Sequence, residues 1–437
     1  MNPRAIVKLE RELTEYVETL VEGMGREERR RAMGLYVTGL LLDGERKSIE
    51  PMASRLVDSP TEVEAMRQRL QQCVTVSDWS DDELRRRLAL KLDAELPDVE
   101  ALVIDDTGFP KKGKASVGVA RQYSGTLGRT DNCQVATSLH LASEAGSGCI
   151  ALRIYLPEAW ASDLPRRKKV GVPESVVFRK KWEIALDQLD DAIAWGVRKH
   201  LVLADAGYGD VGDFRDGLTE RGLQYVVGVA STVKVWPPGE VPTEDGVPVT
   251  VLDVAKSLKR SDYTTVTWRE GSKGRQTSRF VAMRVRVATG HGRGQPAGDL
   301  QWLLCAWPKG ETEPTKFWLS TLPIKTTLKD FVRAAKLRWR VERDYQELKQ
   351  ELGLDHFEGR TWRGFHHHAS LCIIAHGFLA LRRALFPPEP GAVDASHGQA
   401  RAPASPATPR WRLPSVPKTR RSSLTASGTI TDVIEWY

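Results

Sequence analysis

Acidic residues at the ends of apolar runs are the first sign of chemistry in this chain. Ala101-Leu102-Val103-Ile104 delivers Asp105 and Asp106 ahead of Thr107-Gly108. Leu201-Val202-Leu203-Ala204 delivers Asp205 ahead of a glycine-bearing turn, Ala206-Gly207-Tyr208-Gly209. Carboxylates converging from strand ends could hold two divalent ions about 3.5–4 Å apart, which activates a nucleophile and stabilises a leaving oxygen in phosphodiester cleavage. Magnesium suits such a set because it takes hard oxygen ligands, keeps several waters and lets a substrate phosphate complete its shell. Alternation along a strand sends Asp105 and Asp106 to opposite faces. Taken alone, either strand-end aspartate more often serves as a helix N-cap or turn residue.

A third carboxylate, Glu342, lies in Arg338-Trp339-Arg340-Val341-Glu342-Arg343-Asp344-Tyr345. On a helix, Leu337, Val341, Tyr345, Leu348 and Leu352 form a buried stripe, with Arg338, Glu342 and Lys349 lined up beside it. The i to i+4 spacing of Arg338 and Glu342 also fits an ordinary surface salt-bridge ladder.

The elements that must position these residues follow from periodicity. Residues 1–96 show helical spacing (Ala5, Leu9, Leu13, Val17, Leu20) and two capping boxes, Thr61-x-x-Glu64 and Ser80-x-x-Glu83; they read as a helical N-terminal domain. Short apolar runs follow at Ala101 to Ile104, Val135 to Ala142, Cys149 to Leu156, Leu201 to Ala204 and Gln224 to Val229. Helical segments at Val176 to Trp195 and 211–222 are interleaved with them. The order strand, strand, strand, helix, strand, helix, strand is that of a ribonuclease-H-like α/β core, expected over 97–229. Alternating segments such as Thr264 to Trp268 and Arg279 to Val287 make 230–325 a β-rich insertion. A long helix, Lys329 to Leu352, then completes the core within 326–386. Residues 387–437, rich in Pro, Ser, Ala and Arg, read as a disordered basic tail.

Composition narrows the class. The chain has 437 residues, 41% apolar and 28% charged, without an apolar run of membrane-spanning length. The N-terminus lacks a secretory pattern, so the cytoplasm is the expected location. Five cysteines, none in a C-x-x-C pair, suggest neither a disulfide framework nor a zinc knuckle. His366-His367-His368 point in different directions on a helix, which argues against a zinc site. The net charge of +7 is bunched, at Lys111-Lys112-Gly113-Lys114, Arg166 to Lys169, Arg179 to Lys181 and Arg333 to Lys349. Such bunching matters for phosphate binding, although any one bunch also fits a solvated face.

At these residues the sequence resembles the DDE transposases of bacterial insertion sequences, in the branch marked by a Y-x2-R-x3-E-x6-K signature. Arg338, Glu342 and Lys349 match; Ala335 stands where the tyrosine would be. The resemblance extends through Asp105 to Gly113, Ser116 to Tyr123, Asn132-Cys133-Gln134, Tyr155 to Trp160 and Ala204 to Gly209. In such relatives the first catalytic aspartate precedes threonine, which selects Asp106 over Asp105.

The resemblance implies a ribonuclease-H-like fold and a site of Asp106, Asp205 and Glu342 holding Mg2+, with Mn2+ able to substitute. It implies cutting of double-stranded DNA at transposon ends and strand transfer to target DNA, by a homodimer on DNA associated with the nucleoid. DNA binding is expected of the N-terminal domain. Arg338 and Lys349 would contact phosphates near the cut, and Lys111, Lys112 and Lys114 would hold the backbone. A DNA-binding relative without catalysis, or a nuclease that never joins, are the rival readings.

Overall fold

Ala101–Pro110 forms β1, the strand on which the first two aspartates sit, in a computed structural model that describes residues 3–386 apart from 126, 241, 243–245, 272–273 and 289–297. The expected tail at 387–437 lies outside the described residues. β2 (Ala120–Ser124), β3 (Arg129–Ala142) and β4 (Ser147–Ile154) follow as antiparallel neighbours. β1 pairs antiparallel with β3, from Ala101 opposite Ala142 to Pro110 opposite Cys133. On its other edge β1 runs parallel to β5 (Leu201–Ala204), which runs parallel to β6 (Tyr225–Val229).

The segment expected as an insertion supplies β7 (Lys234–Trp236), β8 (Val249–Thr250), β9 (Thr264–Gly271), β10 (Gly274–Val287), β11 (Leu300–Trp307) and β12 (Lys316–Ser320). It is β-rich but does not stand apart from the core, because β12 pairs with β6, placing Phe317 opposite Val229. Among the described residues, twelve strands make one mixed sheet in the order β2-β3-β1-β5-β6-β12-β11-β10-β7-β8, with β4 on β3 and β9 on β10. The fold is therefore mixed α/β with a large mixed sheet.

Among the described residues, five α-helices precede the sheet: α1 (Pro3–Val21), α2 (Glu27–Leu41), α3 (Ile49–Arg55), α4 (Val63–Thr75) and α5 (Asp81–Glu95). Ser80 caps α5 as its spacing predicts, accepting from the Glu83 amide at 3.0 Å. The start expected at Thr61 is displaced. Ser59 caps a single 3-10 turn, Pro60–Glu62, and α4 begins after it. Pro60 lacks an amide hydrogen and fits a first-turn position.

The remaining helices are α6 (Glu158–Ala161), α7 (Leu164–Val170), α8 (Lys181–Trp195), α9 (Ala206–Gly209), α10 (Gly212–Glu220), α11 (Val251–Ser257), α12 (Leu328–Leu337), α13 (Trp339–Gln346) and α14 (Trp362–Leu385). The single helix expected from Lys329 to Leu352 is interrupted. Arg338 is the junction between α12 and α13, and Glu347–Glu351 forms a π turn closed by the Leu352 amide on the Glu347 carbonyl at 3.0 Å. Such turns recur at functional sites.

Period-two alternation gives β1 two different faces. Leu102 and Ile104 join the larger core, shared with Leu88 and Leu92 of α5, Leu189 of α8 and Ile373 of α14. Ala101 and Val103 face the other way, onto Leu203, Val226, Phe331, Val332, Leu337 and Val341. α14 packs along β4, α5, α2 and α4. The N-terminal helices thus share a continuous core with the sheet and form a layer on it.

Candidate active site

The carboxylates divide between these two faces. Asp105, on the α12–α13 face, accepts from Arg338 Nη1 at 2.8 Å. The same guanidinium lies 3.8 Å from Glu342 and also feels the charge of Asp205. Asp105 is 16% exposed. Burial, with the nearby charge of Asp205, pushes its carboxyl up to about 6 against the opposing pull of Arg338. Glu342, by contrast, is 71% exposed.

Asp205 follows β5 and caps α9, its Oδ1 accepting from the Gly207 amide at 2.9 Å. The glycines around it have a steric reason. A β-carbon on Gly209 would stand 2.0 Å from the Gly228 carbonyl oxygen, so the turn carrying Asp205 can pack directly on β6.

Asp106 points to the opposite face. The Lys181 ammonium and the Tyr208 hydroxyl both bind its carboxylate, and Thr137 Oγ1 lies 3.4 Å away. Tyr208 is buried, and burial together with Asp106 raises its phenol well above the usual range. The structure therefore places Asp105 and Glu342 beside Arg338, within electrostatic reach of Asp205, and turns the Asp106 side chain to the other face of β1. The reason is the pleat itself: the α12–α13 helices cover the face of β1 that Asp105 occupies.

Among the described residues, no three His, Cys, Asp or Glu side chains are close enough together to form a ready-made metal cluster. The donor chemistry of Asp105, Asp205 and Glu342, all carboxylate oxygen, nevertheless fits a hard divalent cation. Arg338 is the positive charge now set among them.

The cations expected to touch DNA divide as well. Arg338 is turned inward onto Asp105. Lys349 donates from Nζ to the Gly108 carbonyl at 2.8 Å, lies over the Phe109 ring, and is pushed down to about 8 by burial. Lys111 donates to the Phe357 carbonyl at 3.0 Å. Lys112 and Lys114 are exposed, on a loop held by Asn132 Nδ2 to the Gly113 carbonyl at 2.9 Å and Arg166 Nη2 to the Lys114 carbonyl at 2.9 Å.

His366, His367 and His368 are all buried, bonded respectively to the carbonyls of Trp362, Trp79 and Gly353 at 3.0, 3.0 and 3.1 Å. Their separate partners are consistent with packing roles. Tyr208 and Lys181, the partners of Asp106, were missed from sequence. Tyr208 had one signal, its place three residues after Asp205; Lys181 was hidden in a basic run.

The chain belongs to the DDE superfamily endonucleases, whose family model matches residues 19–275. That segment contains β1 and β5 with their aspartates and ends before Glu342. Within this class it is similar to the "Probable transposase for insertion sequence element IS701" of Microchaete diplosiphon, 31% identical over 195 residues. The match covers 44% of this chain and 47% of the relative, so the chain spans about half the length of the curated relative it matches.

Proposed function

We propose that the chain is an insertion-sequence transposase that cuts double-stranded DNA at the ends of its element and joins them to target DNA, on a ribonuclease-H-like core. The observation that carries this reading is the Arg338 guanidinium set between Asp105 and Glu342, within electrostatic reach of Asp205. Asp105, Asp205 and Glu342 would hold Mg2+, or Mn2+ in its place. Such ions, when bound, activate the attacking oxygen and stabilise the leaving one. Asp106, the residue favoured by the following threonine, acts in this reading from the other face, fixing β1 through Lys181 and Tyr208.

Arg338 holds Asp105 and steadies Glu342 beside it. Lys112 and Lys114 grip the DNA backbone, with Lys111 anchoring their loop. Lys349 braces β1 at Gly108 from within. Water attacks the first phosphodiester and frees a 3′-hydroxyl, which then attacks target DNA, one phosphodiester bond breaking as another forms. Two copies acting on two ends, at the nucleoid in the cytoplasm, complete the proposal.

The test is to incubate the protein and Mg2+ with duplex DNA spanning the flanks of its own gene. End-specific nicks that require the metal, followed by joined products, are expected. Binding without nicks would overturn the reading in favour of a DNA-binding relative without catalysis. Nicks never followed by joining would reduce it to a nuclease.

A further inference from the structure

Glu342 is exposed, so something else must fix the helix that carries it. In α13 only Val341 and Asp344 are buried. A single apolar side chain gives little register, because hydrophobic contact is non-directional. Asp344, two residues beyond Glu342 and therefore about 200° around the helix, is 3% exposed. Its Oδ2 lies 2.7 Å from His140 Nδ1, and its Oδ1 accepts from Ser147 Oγ at 2.6 Å. His140 Nε2 is 2.9 Å from Ser138 Oγ, which is 2.5 Å from the Tyr345 hydroxyl. Ser138 also sits directly opposite Asp105 in the β1–β3 ladder, with Oγ 3.4 Å from the Asp105 carbonyl oxygen. The polar chain thus runs from the helix of Glu342 to the backbone of Asp105. The π turn joins the same cluster: Arg383 donates to both oxygens of Glu347 at 2.7 and 2.5 Å, and His376 Nε2 lies 3.2 Å from Glu347 and 3.8 Å from Asp344.

We propose that Asp344, His140, Ser138 and Tyr345 form a buried polar clamp that sets the position of the Glu342 helix against the Asp105 strand, making them positioning residues for the carboxylate site. Buried charged groups contribute little net stability compared with well-packed apolar side chains of the same volume. Their short, directional bonds instead fix one register of α13 on β3. A slip or rotation of α13 that an apolar contact would tolerate breaks both bonds to Asp344 and carries Glu342 away from Asp105 and Asp205.

The inference rests on the carboxylate reading above, and its test separates the two. Ser138→Ala/Tyr345→Phe removes two hydroxyls with little change in packing, and Asp344→Ala is compared with Asp344→Asn, which keeps an acceptor for His140. Nicking rate at saturating DNA, DNA Kd, and the rise in Tm on adding Mn2+ are measured for each. The clamp predicts a nicking rate lower by about tenfold or more, the scale seen when groups orienting metal ligands are lost. It also predicts Kd within about twofold, a smaller Mn2+-induced rise in Tm, and more activity in Asp344→Asn than in Asp344→Ala. Folded Ser138→Ala/Tyr345→Phe protein with wild-type nicking and wild-type response to Mn2+ overturns the clamp alone. Wild-type protein that neither nicks nor responds to Mn2+ overturns the carboxylate reading, and the clamp with it.

Discussion

Asp105 and Asp106 are neighbours in the chain, yet the fold treats them differently. On the α12–α13 side, Asp105 shares its surroundings with Asp205 and one guanidinium, and its carboxyl is pushed up to about 6 chiefly by burial. On the other side, Asp106 is held by a lysine, a tyrosine and a threonine. That second face also leads into the larger core with α14. One strand therefore carries two environments: a half-buried carboxylate sharing one guanidinium on one face, and a carboxylate held by three polar side chains beside apolar packing on the other.

Neutralising the two aspartates separately should give the largest difference between the two faces. Asp105→Asn is expected to lower end nicking by roughly 10²–10³-fold or more, the scale of losing a principal electrostatic group. Asp106→Asn should cost about 10–100-fold, as for a group that orients a ligand from behind, and should leave the Mn2+-induced rise in Tm in place. Gel assays of nicking paired with thermal melts read both. The reverse order would return the first ligand to Asp106.

Acid tests the rigid side. His366, His367 and His368 on α14 are lowered to about 4, first by burial. Their folded values lie below the ordinary 6.5, so the stability they contribute is complete above about pH 6.5 and is lost as pH falls toward 4. The loss is of order 1–3 kcal/mol per histidine. Denaturant melts from pH 7 to 4 should show it, and His367→Gln should flatten the curve. An unchanged curve would remove the histidines from the stability of that face.

The smallest effect is expected at residues outside both faces. Lys112→Ala/Lys114→Ala should leave nicking at saturating DNA near normal while reducing the slope of log K against log salt by roughly 1.8, about 0.9 per phosphate contact. Fluorescence anisotropy over a salt series measures it, and an unaltered slope would take both lysines off the DNA.

Much of this was legible in the sequence because local patterns carried it. Apolar runs ending in aspartate located β1 and β5, and Ser80-x-x-Glu83 located the start of α5. Alternation even foretold that Asp105 and Asp106 diverge. It could not tell which of them faces the Glu342 helix, since that depends on which layer covers each side of the sheet. Apolar periodicity continues through Arg338, so it could not reveal the junction there. Nor could it pair Asp344 with His140, residues joined by tertiary packing across a long stretch of chain. β2 went unnoticed because Ala120–Ser124 carries too few apolar residues to register as a strand.

The chain leaves β6 at Val229 and, after five further strands of the same sheet, comes back beside it in β12, where Phe317 stands directly across from Val229. The intervening strands thus start and finish side by side, so a change of length among them need not move the turn that carries Asp205 or the helix that carries Glu342.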